Sequence, residues 1–291
     1  MKAYVKHICL LFSVLGMQAL YAQPQLPNSS FVQFVAGEEQ WAGELQTAIV
    51  SYENSSGVVL DLVAAVHLGE IEYYSALNEY FNNQDAVLYE LIAYEDDRPT
   101  PEEVVENSSA VSFVQRALGS FLKVSFQLEQ IDYSPNNFKH ADLNPDELQQ
   151  IMLEKNENFF SMFFSLAVAQ LASEQAALEA GAVPSSFSMI SIMNALLAED
   201  QNLAFKYLFA EELGRTDGVI VGPELENQLT ILGDRNKAAL EVLDETLDNP
   251  TIQKISIFYG AAHMPGIERE LIQSFGFEKI QQRWRSAWKM P

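Results

Sequence analysis

The chain has 291 residues, of which 48% are hydrophobic and 20% are charged, and its formal net charge is −23. This composition argues against disorder, and the length suffices for a large core, so we expect one folded domain. The excess of acidic residues argues against nucleic acid as a partner, because phosphates repel an acidic surface. An acidic surface also attracts cations, although a solvated or salt-adapted surface would account for it equally well.

The N-terminus is typical of an export signal. Lys2 and Lys6 precede an apolar run over residues 8–20, and the small residue Ala22 follows. We therefore predict a signal peptide over residues 1–22 that is cleaved near Ala22. The mature protein would then be periplasmic or extracellular.

Cleavage would also remove Cys9, the only cysteine, so the mature chain would contain neither a disulfide nor a reactive thiol. We assign residues 23–40 to an N-terminal lead segment and residues 41–291 to one domain. The most hydrophobic stretch of the mature chain, residues 159–172, is shorter than the roughly 20 residues that a transmembrane helix needs. It suits a buried helix, a hydrophobic substrate groove or a contact with a membrane surface.

Two β-type runs, residues 45–52 and 57–66, are separated by polar residues and predict an antiparallel hairpin. The second run ends at His67. Beyond this histidine, apolar residues recur with the spacing of a helix, at Tyr73, Tyr74, Leu77 and Phe81. The pattern is a strand, a histidine and a helix in immediate succession.

The same pattern returns near the end of the chain. Residues 254–259 read as a buried strand, a turn of small residues leads to His263, and a helix is predicted over residues 265–275. Between the two units, residues 86–92 form an apolar strand-type run that contains Glu90. A carboxylate within such a run is costly to bury unless it is paired, hydrogen-bonded or bound to a metal, although a strand-end residue can simply reach water.

The region between these strands is mostly helical by pattern. Residues 101–214 predict a large helical insertion or cap, in which Asn144 as N-cap and Pro145 in the first turn begin one helix. Residues 216–222 suit a short strand or an extended loop. The mixed polar and aromatic pattern of residues 277–288 favours an edge strand.

These elements predict an α/β fold. We expect a mixed, largely parallel central sheet with an antiparallel N-terminal hairpin, flanking helices and the helical insertion. The carboxyl ends of parallel strands lie on one edge of a sheet, so His67, Glu90 and His263 can converge there. Each histidine alone suits a hydrogen-bonded core or surface residue. Together with the carboxylate, they form a plausible site for divalent manganese, cobalt, zinc or iron.

Four further residues are candidates for substrate binding or for supporting the ligands. Arg235 suits an anion clamp or an oxyanion stabiliser, and equally a surface salt bridge. Asp234 and Asn236 flank it at a predicted helix start, where Asp234 would also suit a helix cap. Glu70 follows His67 by three residues, either as its hydrogen-bond partner or as a helix-start acid.

His140 and Asp142 are predicted to lie in a loop before a helix. His140 would orient a substrate or donate a proton, or it is a surface histidine. The chain contains no Gly-x-Ser-x-Gly elbow, P-loop, dinucleotide-binding glycine fingerprint or His-Glu-x-x-His helix. Serine hydrolase, nucleotide-triphosphatase and zincin functions therefore lack their main residues.

The order of these residues resembles the pattern of the TraB/GumN/TIKI family, which is sometimes grouped with the PrgY pheromone-shutdown proteins. That pattern has two Gly-x-x-His motifs, a glutamate after the first motif and an arginine before the second. Here the second motif is Gly260 to His263, the glutamate is Glu90 and the arginine is Arg235. The first motif, which ends at His67, has Ala64 in place of glycine. The resemblance extends over about residues 45–272.

The resemblance implies a fold similar to the erythromycin esterase and ChaN-like group. TIKI proteins are metal-dependent peptidases that favour manganese or cobalt, whereas other relatives bind haem-like ligands or quench peptide pheromones. We therefore expect an exported metal-dependent hydrolase, a peptidase, in which His67, His263 and Glu90 hold the metal. Glu90 would alternatively act as general base, while Arg235 would steady the oxyanion or anchor a substrate carboxylate.

Two other functions suit the same residues, since a fold does not determine a reaction. One is a non-catalytic binding protein that sequesters a peptide, a metal or a haem-like ligand. The other is an envelope protein that uses residues 159–172 for contact with a partner. The pattern does not determine which peptide or small molecule is the substrate, which metal binds or what the oligomeric state is.

Overall fold

The computed structural model describes residues 29–98, 100, 119–158, 161, 165, 168, 175, 179, 189–215 and 223–291. Their central element is a mixed sheet, whose strands are β1 Val32–Ala36, β2 Gly43–Glu53, β3 Val59–Ala65, β5 Ala86–Tyr89, β7 Phe138–His140, β8 Lys254–Gly260 and β9 Glu278–Met290. The strand order is β1-β2-β3-β8-β5-β7, and β9 also pairs with β2. A separate two-stranded sheet pairs β4 Leu68–Gly69 with β6 Ser125–Phe126.

Helices cover the sheet, and short helical turns connect several elements. In the described parts of the chain, the helices with assigned bounds are α1 Ile71–Phe81, α2 Pro145–Glu154, α3 Met189–Leu196, α4 Gln201–Arg215, α5 Pro223–Gln228, α6 Arg235–Leu247 and α7 Met264–Gln273. The short turns are 3₁₀ helices at Gln127–Glu129 and Ala261–His263 and a π-helical turn at Thr230–Asp234. The predicted α/β class, with its mixed sheet and flanking helices, is confirmed.

The antiparallel half of the sheet contains β1, β2, β3 and β9. The predicted hairpin is present: β2 and β3 pair antiparallel, and Ile49 lies opposite Val63. β9 pairs with β2 along its whole length, so that Gly43 faces Met290 and Glu53 faces Glu278. Among the described strands, β9 contacts only this one neighbour, in agreement with the predicted edge strand.

The parallel half contains β3, β8, β5 and β7. Ala65 at the end of β3 lies beside Gly260 at the end of β8. Tyr89 at the end of β5 lies beside β8 on one side and His140 on the other. The carboxyl ends of four neighbouring strands therefore form one continuous edge.

The core lies on both faces of this sheet. Nearly every residue of β3 and β8 is buried, as expected for strands with a continuous apolar sequence. Helix α1 packs its four predicted apolar residues against one face, because they share one side of the helix. The polar exception within β3 is Asp61, which accepts hydrogen bonds from Ser51 and Tyr80.

The range expected to be helical, residues 101–214, also contributes to the sheet, which is a correction to that expectation. β7 Phe138–His140 pairs in parallel with β5. His140 therefore ends a strand instead of lying in a loop. At three residues, this strand is too short to show an alternating pattern. The predicted helix start at Asn144 is confirmed, since its side chain accepts from the backbone N–H groups of Asp146 and Glu147.

The described part of the lead segment is also folded. β1 lies within residues 23–40, and the Ser29 backbone N–H donates to Glu268 Oε2 at 3.0 Å. The predicted signal peptide over residues 1–22 and the extended stretch over residues 216–222 lie outside the described residues, as does most of the hydrophobic stretch over residues 159–172. Within the parts of the chain that the structure describes, every helix is too short or too polar to cross a bilayer.

Candidate functional site

Four polar side chains follow the four parallel strands at their carboxyl ends. His67 lies two residues after β3, Glu90 directly follows β5, and Asp142 lies two residues after β7. His263 ends the 3₁₀ turn after β8. Because these strands are neighbours in the sheet, residues far apart in the sequence meet at one edge.

Arg235 joins two of these carboxylates. Its Nε donates to Asp142 Oδ1 at 2.9 Å and its Nη2 to Asp142 Oδ2 at 2.6 Å. Nη2 also donates to Glu90 Oε1 at 2.7 Å. The side chains of all three residues are less than a tenth exposed, so Arg235 is part of a buried charge network and not a surface salt bridge. Nη1 has no hydrogen-bond partner among the described residues.

A chain of hydrogen bonds holds His263 through its Nδ1 atom. Its Nδ1 lies 2.7 Å from Asn236 Oδ1, and Asn236 Nδ2 donates to Glu226 Oε1 at 2.9 Å. Glu226 accepts a further hydrogen bond from Arg269 at 3.0 Å. Since the amide group of Asn236 faces a carboxylate, its oxygen faces the imidazole, and His263 carries its proton on Nδ1. Nε2 therefore presents a lone pair.

That lone pair faces a carboxylate. His263 Nε2 lies 3.5 Å from Glu90 Oε1, and neither atom carries a proton to share when Glu90 is ionised. Burial lowers the pKa of His263 to about 4, although Glu90 opposes this effect, so the imidazole is neutral near neutral pH. Two acceptors that face each other in a buried site favour a cation or a proton donor between them.

Glu90 stays ionised over the whole physiological range. Burial raises the pKa of Glu90, but His263, Arg235 and His67, together with the Gly260 N–H, outweigh burial and lower the pKa to about 2. The Gly260 N–H donates to Glu90 Oε2 at 2.5 Å. Burial raises the pKa of Asp142 despite its bonds to Arg235. With Arg235 and both carboxylates charged and His263 neutral, the buried cluster has a net charge of about −1, which attracts a cation.

Gly260 allows these groups to approach one another. A Cβ at this position would lie 3.2 Å from Glu90 Oε2, 3.8 Å from His263 Cδ2 and 3.9 Å from His67 Nε2. Three candidate residues thus surround one point above the end of β8. His67 differs from the other two because it is exposed, and no described residue forms a hydrogen bond with its imidazole.

The remaining candidates lie outside this cluster. Glu70 pairs with Lys206 at 2.7 Å, so it does not support His67. Asp234 pairs with Lys155 and forms no side-chain cap on α6. His140 Nε2 lies 2.6 Å from the Leu91 carbonyl oxygen, and the residue lines a polar cavity that touches the cluster only at Asp142.

Two residues of the site were not predicted from the sequence. Glu226 fixes Asn236, but it lies in a six-residue helix without a recognisable motif. Tyr259 packs edge-on against His263 with ring centroids 5.2 Å apart, and its hydroxyl donates to the Ala141 carbonyl. An aromatic residue at the end of a buried strand could have been read as a wall of the site.

The donor types fit a divalent metal only in part. Among the residues that the structure describes, no group of three His, Cys, Asp or Glu side chains is close enough to hold a metal ion. The pair formed by His263 Nε2 and Glu90 Oε1 does fit one, since an imidazole whose other nitrogen is hydrogen-bonded is the usual form of a ligating histidine. His67 is a further imidazole beside this pair, since its Nε2 would lie 3.9 Å from a Cβ at Gly260.

The fold and the cluster define an α/β protein with two carboxylates, an arginine and two imidazoles at the carboxyl edge of its sheet. The chain matches no protein-family model, no curated protein and no solved structure.

Proposed function

We propose that the chain is an exported metal-dependent hydrolase that cleaves peptides. The observation that carries this proposal is the 3.5 Å approach of His263 Nε2 to Glu90 Oε1, inside a buried cluster of net negative charge. An imidazole with a fixed tautomer and an ionised carboxylate are ligands typical of catalytic manganese, cobalt, zinc or iron sites. Membership of the TraB/GumN/TIKI family is part of the proposal and is supported by the order of the motif residues.

His263 and Glu90 would hold the metal, and His67 would complete the set. When bound, the metal would supply Lewis acidity and lower the pKa of a water molecule. Hydrolysis adds the oxygen of one water to the carbonyl carbon, breaks the C–N bond and passes a proton to the departing nitrogen. The chain's own groups must therefore hold the carbonyl oxygen and keep the ligands in place.

Arg235 suits the first of these tasks. Its Nε and Nη2 are committed to Asp142 and Glu90, which fixes the plane of the guanidinium. Nη1 is left to donate to a substrate carbonyl, on which negative charge develops during attack by water. A donor already held in place loses little rotamer entropy and is effective in a buried site.

Of the two expected roles of Glu90, that of a ligand is the better supported. A carboxylate that is ion-paired with Arg235 and hydrogen-bonded to the Gly260 N–H is a weak base near neutral pH. These two contacts also engage both of its oxygens. Both facts favour Glu90 as a fixed negative charge over Glu90 as a group that takes a proton from water.

The first experiment is to measure metal content and metal affinity in the secreted protein by elemental analysis and calorimetric titration. We expect one Mn, Co, Zn or Fe ion per chain. The double substitution His67→Ala and His263→Ala should remove it. His140→Ala is the matched control, because this histidine lies outside the cluster and should leave the metal affinity unchanged.

Turnover then separates a hydrolase from a protein that sequesters a ligand. A hydrolase releases new amino termini from a peptide mixture at a rate proportional to enzyme concentration, and His263→Ala abolishes that release. A chain that binds metal and peptide stoichiometrically without release would instead be a binding protein. Identical metal content in the wild type and the double variant would contradict the proposed ligands.

A further inference from the structure

The polar cluster forms part of the wall of a cavity of about 580 Å³. The charged and imidazole side chains of this wall all belong to the cluster: His67, Glu90, Arg235 and His263. The rest of the wall is apolar and includes Val66, Leu68, Leu122, Phe209, Ile231 and Trp288. The volume falls within the usual range of about 300–1,000 Å³ for small-molecule sites. An apolar chamber thus opens directly from the charged cluster.

Trp288 is held in place in the apolar wall by a hydrogen bond. Its indole Nε1 donates to the Leu68 carbonyl oxygen at 2.6 Å, and the side chain is buried. This bond pairs the polar atom of the ring and fixes the ring plane. The cavity therefore meets the apolar part of the indole, which favours contact with an aliphatic or aromatic group.

A second cavity, of about 290 Å³, shares three of the cluster residues: His67, Glu90 and Arg235. The others in its wall are Leu91, Ile92, Phe126, Gln127 and Leu128. Because the shared residues belong to both walls, the charged cluster is the partition between a larger and a smaller chamber. A substrate whose reacting bond lies at the cluster can extend into each of them.

Gln127 gives the smaller chamber a specific polar feature. The side chain is only 5% exposed, and its Nε2 donates to the Tyr133 hydroxyl at 3.1 Å. Its Oε1 is buried and has no hydrogen-bond partner among the described residues. An unpaired buried acceptor lowers stability, and a turn of the amide that brings Oε1 to the chamber surface would let the backbone N–H of a bound peptide satisfy it.

We infer that the site is selective for peptides with a large apolar side chain next to the scissile bond. The apolar side chain occupies the larger chamber, the scissile amide lies at Glu90 and Arg235, and a backbone N–H on the other side pairs with Gln127. This inference rests on the proposed peptide hydrolysis and names its substrate class. A uniformly polar or acidic peptide would place polar groups against the apolar wall without partners.

The test is binding measured apart from turnover. Hexapeptides of glycine and serine with one residue X, where X is Phe, Leu, Ala or Asp, are titrated calorimetrically into the protein with a chelator present. We expect the Phe and Leu peptides to bind at least about tenfold tighter than the Asp peptide. Equal affinity of the four peptides would overturn the inference.

Matched variants test the two proposed contacts, that of the apolar side chain with the larger chamber and that of the backbone N–H with Gln127. Leu213 lines the larger chamber, so Leu213→Asp should abolish the preference for Phe over Asp. Leu153→Asp is the control, because Leu153 is exposed on α2 and lines neither chamber. Gln127→Leu should weaken binding of the Phe peptide. A Phe peptide that is N-methylated at the amide proposed to donate to Gln127 should bind the wild type and Gln127→Leu equally. An unchanged Phe preference in Leu213→Asp would overturn the assignment of the chamber.

Hydrolysis of the same peptides with added metal separates this inference from the function on which it rests. Selective binding without release of product would refute the hydrolase and leave the apolar chamber established. Cleavage that is independent of X would support the hydrolase and overturn the inference.

Discussion

Replacing Arg235 by glutamine should destabilise the fold more than any surface substitution. The variant loses three hydrogen bonds to Glu90 and Asp142, whose side chains are 9% and 0% exposed. Two carboxylates would then lie close together in the interior without a compensating charge. Breaking a buried ion pair by removal of one partner costs about 3–5 kcal/mol, and we expect a loss within this range at pH 7.5.

The same structure predicts how the loss depends on pH. In the wild type the pKa of Glu90 lies below its usual value, so this group stabilises the fold above pH 4.5 and the contribution is lost as the pH falls towards about 2. Without Arg235, burial is less opposed and the pKa values of Glu90 and Asp142 rise. The folded variant then takes up protons before the unfolded chain does. Its stability deficit relative to the wild type therefore narrows between pH 7.5 and pH 5.

Urea unfolding of the metal-free proteins, followed by circular dichroism at both pH values, measures this difference. Arg285→Gln is the control; Arg285 is half-buried in β9, and its replacement should change the free energy of unfolding by less than about 0.5 kcal/mol. Adding Asp142→Asn to Arg235→Gln should recover part of the lost stability. A deficit below about 1 kcal/mol, or one that is equal at the two pH values, would refute the buried network as described.

Three further predictions concern His263 and the groups that hold it. The pKa of His263 falls from 6.5 to about 4 on folding, so the free energy of unfolding should rise by up to about 3 kcal/mol from pH 4 to pH 6.5. Urea unfolding at several pH values measures this rise, and it should be smaller in His263→Gln. Asn236→Leu should lower metal affinity about 10- to 100-fold in calorimetry, because the imidazole loses the acceptor that fixes its tautomer; unchanged affinity would contradict the role of Asn236. Gly266→Ala should lower the free energy of unfolding by about 1–3 kcal/mol, because the new Cβ would lie 2.6 Å from Asn236 Nδ2 and overlap Glu226. If thermal unfolding shows the stability of the wild type, the two side chains move aside without cost.

Much of the fold could be predicted because its periodicities are strong. The β2–β3 hairpin alternates or runs apolar over long strands, and α1 repeats its apolar residues with a helical period. The convergence of residues near the ends of β3, β5 and β8 follows from the topology of a parallel sheet. Glu90 and His263 were found in this way, since each follows a strand. Arg235 was a candidate because it lies at a predicted helix start, where a surface salt bridge suited it equally well.

Other features depend on tertiary contacts that leave no local pattern. The three-residue strand β7 carries Asp142 to the site, although nothing in its sequence distinguishes it from a loop. Glu226 meets Asn236 beside Gly266 of α7, where three elements come together. Asp234 and Glu70 occupy the positions expected of helix caps, but each carboxylate pairs with a lysine from another element. Sequence spacing predicts neighbours along the chain better than partners across it.

The ladder between β2 and β9 has a consequence for how the chain reaches its native state. One whole edge of β2 is completed by residues such as Met290, which pairs with Gly43. Closing so long a loop is entropically costly and slow compared with forming the adjacent β2–β3 hairpin. Until β9 pairs, this edge of β2 is open to other chains, which favours aggregation of the partly folded chain. A chaperone that shields this edge until β9 pairs with β2 would raise the yield of folded protein without altering its final stability.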